Sequence, residues 1–301
     1  MKIRVLLAVV AMMGISSLAF GDEVDSRFKQ ARKYLNDNKM TITTTVDQAY
    51  IQDAILVVGE GAPKKGVTGG QKRLTAITAA KVIAQRRLAE LLEGVAIVSE
   101  TTVKDSELVS DVIKTAVTGF IKGAQPVIQE WNEKDETALV ILKIGMSGPK
   151  SFAAVMYEKI LTEPKIKKEL EKPAYTPPAD VPPPALVPQA YDGLVIDATD
   201  YNFRPALINR IFNGKGEVLY DPAKISQKVL VEQGCGEYTN SVDKARAALG
   251  KRGVRNPLVV KASGTVSPSD LQVSDDTAAQ VFSANRASGF MADARVAFVL
   301  K

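Results

Sequence analysis

Histidine is absent from all 301 residues. That removes Ser-His-Asp and Cys-His catalysis, His-ligated zinc and His proton relays. The single cysteine, Cys235, can form neither a metal cluster nor an internal disulfide, and its ordinary reading is a small buried apolar residue. Gly59-Glu60-Gly61 and the loop Gly66-Val67-Thr68-Gly69-Gly70-Gln71-Lys72 invite a phosphate-cradle reading. A P-loop needs Ser or Thr after its Lys, and Lys72 is followed by Arg73, so a plain strand-to-helix loop is the better reading. Asp197 and Asp200 could pair for acid-base work or a hard cation, against turn hydrogen bonding at a strand end. Asp275-Asp276 after Ser274 reads as a capped helix start. Ser/Lys pairs are plentiful but carry no motif, and Trp131 reads as a hairpin packing residue before a sugar platform. The expected set of catalytic residues, cofactor ligands and metal ligands is therefore none.

The elements that would position such groups fall into two parts. Apolar residues are 46% and charged residues 24% of the chain, ordinary for a globular protein. Formal net charge is +5 with both signs interspersed, so no nucleic-acid arm is expected. Lys2 and Arg4, the apolar run from Val5 to Ile15 and the small residues Ala19 and Gly21 have the order of an export signal, with cleavage expected after Gly21. That run is short for a membrane span, and no later run comes near the ~20 residues a span needs. No cysteine follows the cleavage site closely enough to carry a lipid.

Seven of the 15 prolines lie between Pro173 and Pro188, an extended linker over residues 172–189. It separates an N-terminal α+β domain (22–171) from a C-terminal α+β domain (190–301). In the first, the expected order is β-α-β-α-β-β with helices on one face of a sheet. A helix is expected over Asp25–Asn38, and a strand over Ala54–Val58 closed by a Gly59–Pro63 turn. A helix over Leu74–Glu93 follows, its inner face built on Ala76, Ala80, Ala84 and Leu88 and ended by an αL Gly94. A strand over Val95–Thr102 and a helix over Glu107–Ile121 come next. A hairpin then turns at Asn132–Asp135, and a helix over Ser151–Leu161 precedes a charged tail. The second part should hold strands near 194–198, 217–220, 258–262 and 295–300, and helices over 241–249 and 275–287.

The residues Val57-Val58-Gly59-Glu60-Gly61, Ala79 through Val95, Phe120-Ile121-Lys122-Gly123-Ala124 and Thr137 through Ile141 resemble the LPP-twenty envelope lipoprotein family over Ala54–Met146. That family includes FlgP-like flagellar proteins and is similar to the FlgT N-terminal domain. The second part is similar to a C-terminal domain common in bacterial envelope proteins. Its matching residues are Tyr191 through Ala198, Pro205-Ala206-Leu207, Gly216 through Tyr220, Asn256 through Ala262 and Ser274-Asp275-Asp276. The resemblance implies a non-enzymatic structural or assembly protein of the periplasm and envelope, with outer-membrane association and a flagellar role as its narrower versions. Its partners would be other proteins or further copies of itself. The chain departs from the lipoprotein pattern in lacking a lipidation cysteine. The alternative is a periplasmic binding module for a small ligand or peptidoglycan.

Overall fold

The computed structural model describes residues 24–178 and 190–301, so the export signal and residues 179–189 of the proline-rich stretch lie outside the described residues. The fold is α+β. Its first half contains α1 (Lys29–Asn38), α2 (Val46–Ile51), β1 (Ala54–Gly61), α3 (Gly70–Glu93), β2 (Ala96–Val98), β3 (Thr101–Thr102) and α4 (Val103–Glu107). It continues through α5 (Asp111–Gly123), β4 (Pro126–Asn132), β5 (Thr137–Gly145), α6 (Phe152–Ile160) and α7 (Pro164–Leu170). Strands β1, β5 and β4 form an antiparallel sheet in that order.

Strand β1 has no polar face over Ile55–Val58, and the structure covers it on both sides. Ile55 and Val57 join the main core under α3, whereas Ala54 and Leu56 pack with Phe28, Ala31 and Leu35 at α1. Helices thus flank both faces of the sheet, where a one-sided layer was expected. A continuous apolar run, unlike an alternating one, demands cover on both faces.

The strand also runs further than expected. Gly59 and Gly61 do not turn; they pair with Val140 and Ala138 of β5. A methyl group at Gly59 would sit 2.1 Å from the Ala80 carbonyl oxygen and 2.5 Å from the Ala84 nitrogen. At Gly61 it would sit 2.4 Å from both the Ala76 oxygen and the Ala80 nitrogen. Two glycines on the strand and three fully buried alanines on the helix bring the backbones into contact.

Other boundaries shift for local reasons. Gly94 ends α3 in the right-handed region (φ −79°), not in αL. The strand expected over 95–102 is folded back into β2 and β3 by Ser99 at φ 54°. The helix expected over 107–121 begins only at Asp111, because Ser110 caps α5, accepting from the Ile113 amide at 3.4 Å. Of the apolar residues in this stretch, Ile113 and Val117 are buried, while Val109 and Val112 face solvent beside Leu108, which is 79% exposed. The charged tail is helical as α7, with Pro164 in its first turn.

The second half contains β6 (Gly193–Asp197), β7 (Arg210–Phe212), β8 (Val218–Tyr220), α8 (Gln227–Gln233), β9 (Glu237–Thr239) and α9 (Val242–Lys251). It is completed by β10 (Pro257–Lys261), β11 (Gly264–Ser267), β12 (Asp270–Gln272), α10 (Asp275–Ser288) and β13 (Val296–Val299). A parallel sheet runs β10-β6-β13-β9, with Ala245 and Leu249 of α9 packed on Val195, Ala297 and Val299. A mixed sheet runs β11-β12-β7-β8. The Ser241 and Ser274 hydroxyls cap α9 and α10, accepting from Lys244 and Thr277 amides at 3.3 and 3.2 Å.

The two halves share one hydrophobic core, which reaches from Ala49 to Leu300. Leu207 and Ile208 amides donate to the Ala96 and Ile97 carbonyls at 2.9 and 2.8 Å, and Tyr157 Oη donates to the Leu207 carbonyl at 2.6 Å. The described start of the proline-rich stretch is docked. Val218 donates to the Pro173 carbonyl at 2.8 Å, and Tyr175 donates back to Val218 at 2.9 Å, so this segment lines the outer edge of β8. Because core and hydrogen bonds both cross between the halves, severing the chain should not part them. With a protease site engineered into residues 180–188, the two fragments should co-elute under native conditions and separate in denaturant. Two native peaks would overturn the shared core.

Candidate functional site

Among the described residues, the most deeply buried charges lie where the halves meet. Arg210 on β7 stands opposite Asp270 on β12, and both side chains are 1% exposed. Their contact is a two-pronged fork: Nε to Oδ1 at 3.1 Å and Nη2 to Oδ2 at 2.8 Å. The remaining Arg210 donors reach across the seam. Nη2 donates to Ser99 Oγ at 2.7 Å and Nη1 to the Glu169 carbonyl at 3.0 Å. Ser99 Oγ donates to Asp270 Oδ2 at 2.8 Å, as does Ser267 Oγ at 2.9 Å, and Ser269 Oγ donates to the Ser99 carbonyl at 2.8 Å. The guanidinium also rests 5.1 Å from the centre of the Phe212 ring. Composition could not reveal this clasp. Its one local trace is a lone Arg inside the run Ile208-Asn209-Arg210-Ile211-Phe212.

In front of the clasp lies a cleft of about 470 Å³, walled by both halves. Its charged lining is Asp47 from the first turn of α2, Glu100 from the β2–β3 turn and Arg204 from the second half. Val46, Pro205 and Pro268 supply apolar wall. Burial pushes the Asp47 carboxyl above its ordinary range, and the Arg204 charge opposes that shift. The Arg204 backbone is fixed on both sides: its amide donates to the Pro268 carbonyl at 2.7 Å and its carbonyl accepts from Asn209 Nδ2 at 3.1 Å.

A second, tighter cavity of about 50 Å³ lies elsewhere on the seam, among Tyr50, Asp53, Tyr157, Cys235, Tyr238 and Arg252. Cys235 Sγ is 3.0 Å from Tyr238 Oη, which donates to Asn209 Oδ1. Tyr220 Oη donates to the Cys235 carbonyl at 2.6 Å. Burial pushes the Cys235 thiol up, so the thiolate that nucleophilic chemistry needs is disfavoured there. Burial likewise raises Asp53, against hydrogen bonds from Ser147 (3.0 Å from its amide, 2.7 Å from its hydroxyl) that favour the charged form.

The groups singled out in the sequence are not brought together. Gly59 and Gly61 serve helix packing. Gly69 and Gly70 open α3, and Lys72 pairs with Glu136 at 2.5 Å on the surface. Asp197 closes a turn: its Oδ1 accepts from the Thr199 amide and hydroxyl at 3.1 and 2.7 Å, and the hydroxyl bond is the first cause of its lowered pKa. Asp200 instead faces Lys261 at 4.0 Å in solvent. Asp275 lies in the first turn of α10 and accepts from the Gly214 amide at 3.2 Å. Trp131 is half-buried in β4 against the core. Among the described residues no helix is long and apolar enough to cross a membrane.

Residues 193–301 match a family described as Treponema pallidum Tp0624, second domain. The match begins at the first residue of β6 and covers all of the second half from there, including Arg204, Arg210 and Asp270. No curated protein matches the chain.

Proposed function

We propose that the protein works by contact, as an exported structural or assembly component of the bacterial envelope. The observation that carries this reading is the seam. The fully buried ion pair is consumed in joining the halves, which makes the chain a single block suited to holding partners at fixed spacing. The α4–α5 corner adds a surface for association, with Leu108, Val109 and Val112 all exposed. The leader-like N-terminus supports export, and the LPP-twenty resemblance over Ala54–Met146 supports the envelope and, more narrowly, the flagellar base. Deletion of the gene, followed by a motility assay and tomography of the basal body, tests the narrow version. Lost or altered basal density is the expected result; unchanged swimming with an unchanged base would remove it. Fractionation tests the broad version, which fails if the protein stays in the cytoplasm.

A further inference from the structure

The cleft in front of the Arg210–Asp270 clasp is lined by charges of both signs, Asp47 and Glu100 against Arg204, and the Arg204 charge already acts on Asp47. Among the described residues, no carboxylate reaches the Arg204 guanidinium at ion-pair distance, and no donor is hydrogen-bonded to the Asp47 or Glu100 carboxylates. All three side chains are exposed to solvent in the cleft, so each is open to a charged partner from outside the chain.

The walls are held in place from behind. Ser99 fixes the turn that presents Glu100, and its hydroxyl is gripped by Arg210 and Asp270. Ser269 grips the Ser99 carbonyl, and the Pro268 carbonyl holds the Arg204 amide. A buried ion pair is a poor device for stability alone, since its desolvation cost rivals its attraction. Fixing the two walls of a cleft gives it a second use. The volume of about 470 Å³ lies within the range of small-molecule sites, and a junction between halves is a favoured place for one.

We propose that this cleft binds a short peptide or amino-acid-type zwitterion, its carboxylate on Arg204 and its ammonium between Asp47 and Glu100. The guanidinium fork matches a carboxylate in two parallel hydrogen bonds. Two acids against one base favour a ligand with an extra positive charge, and Val46, Pro205 and Pro268 offer apolar wall to its side chains. This inference stands apart from the contact reading: an assembly protein with an empty cleft would fail it and keep that role.

The test is calorimetric titration of the full mature chain with the dipeptide Ala-Lys, its N-acetylated form and its C-amidated form. Ala-Lys should bind, and each blocked form should bind about tenfold more weakly or worse, the effect of losing one charged hydrogen-bonding partner. Arg204→Ala should abolish the difference between free and amidated peptide. The double substitution Asp47→Asn with Glu100→Gln should abolish the difference between free and acetylated peptide. All three side chains are exposed, so the variants should keep the parent's thermal transition, which is measured alongside. No heat at about 10 mM peptide, or binding indifferent to both blocks, would overturn the proposal.

Discussion

Asp270→Ala should cost the protein about 3–5 kcal/mol of stability, because it strands the Arg210 guanidinium in a site that is 1% exposed. A domain of ordinary stability holds only about 5–15 kcal/mol, so the loss is a large share of the whole. Arg210→Met should be comparably severe, leaving Asp270 with hydroxyl donors from Ser99 and Ser267 but no countercharge. The informative variant is the double one, Arg210→Met with Asp270→Leu. It removes both charges and should recover most of the loss, since well-packed apolar residues often replace a buried pair at little cost. Denaturant unfolding followed by circular dichroism gives the three values. If Asp270→Ala shifts stability by less than about 1 kcal/mol, the clasp is not closed in solution.

Gly59→Ala should destabilise by about 3 kcal/mol or more, at or beyond the upper end of ordinary overpacking. The added carbon would meet the α3 backbone itself at Ala80 and Ala84, and a main chain inside a helix has no rotamer through which to yield. Helix α3 would have to lift away from β1, opening the contact along Ala76, Ala80 and Ala84. Gly61→Ala should act alike. Gly70→Ala is the control: it has open space around it, stands in the first turn of α3, and should be neutral or slightly stabilising. Thermal melts of the three variants decide the matter, and equal transitions for Gly59→Ala and Gly70→Ala would refute the close approach.

What could be read from the sequence was what local spacing encodes. The three-and-four rhythm of Ala76, Ala80, Ala84 and Leu88 marks α3 because each contact repeats within one helix. Ser274 marks α10 because a cap is a bond between near neighbours. The hairpin at Asn132 shows for the same reason: its side chain bonds the amides two and three residues on. Gly59 and Gly61 misled because absence of a side chain serves a turn and a close approach equally, and only the partner helix tells them apart. Strands β7, β9 and β12 have three residues each, too few to display alternation. The cleft was illegible in principle. Asp47, Glu100 and Arg204 are common residue types from three separate segments, and nothing near any of them in the chain announces the others.

The span of the clasp sets a timetable for the chain. Ser99 and Asp270 are 171 positions apart, and Ser269 reaches back 170 positions to the same turn. Contacts between such distant segments form slowly, because the loop between them must close before they repay its entropy. A chain delivered from its N-terminus first would present the β2–β3 turn long before β12 existed to receive it. Until residue 270 emerges, the Ser99 turn lacks its Asp270 and Ser269 partners, and the half-made seam is open to stray association. A truncation short of β12 should be handled by the cell as an unfinished protein, because the clasp that closes the seam is missing even though the first sheet is complete.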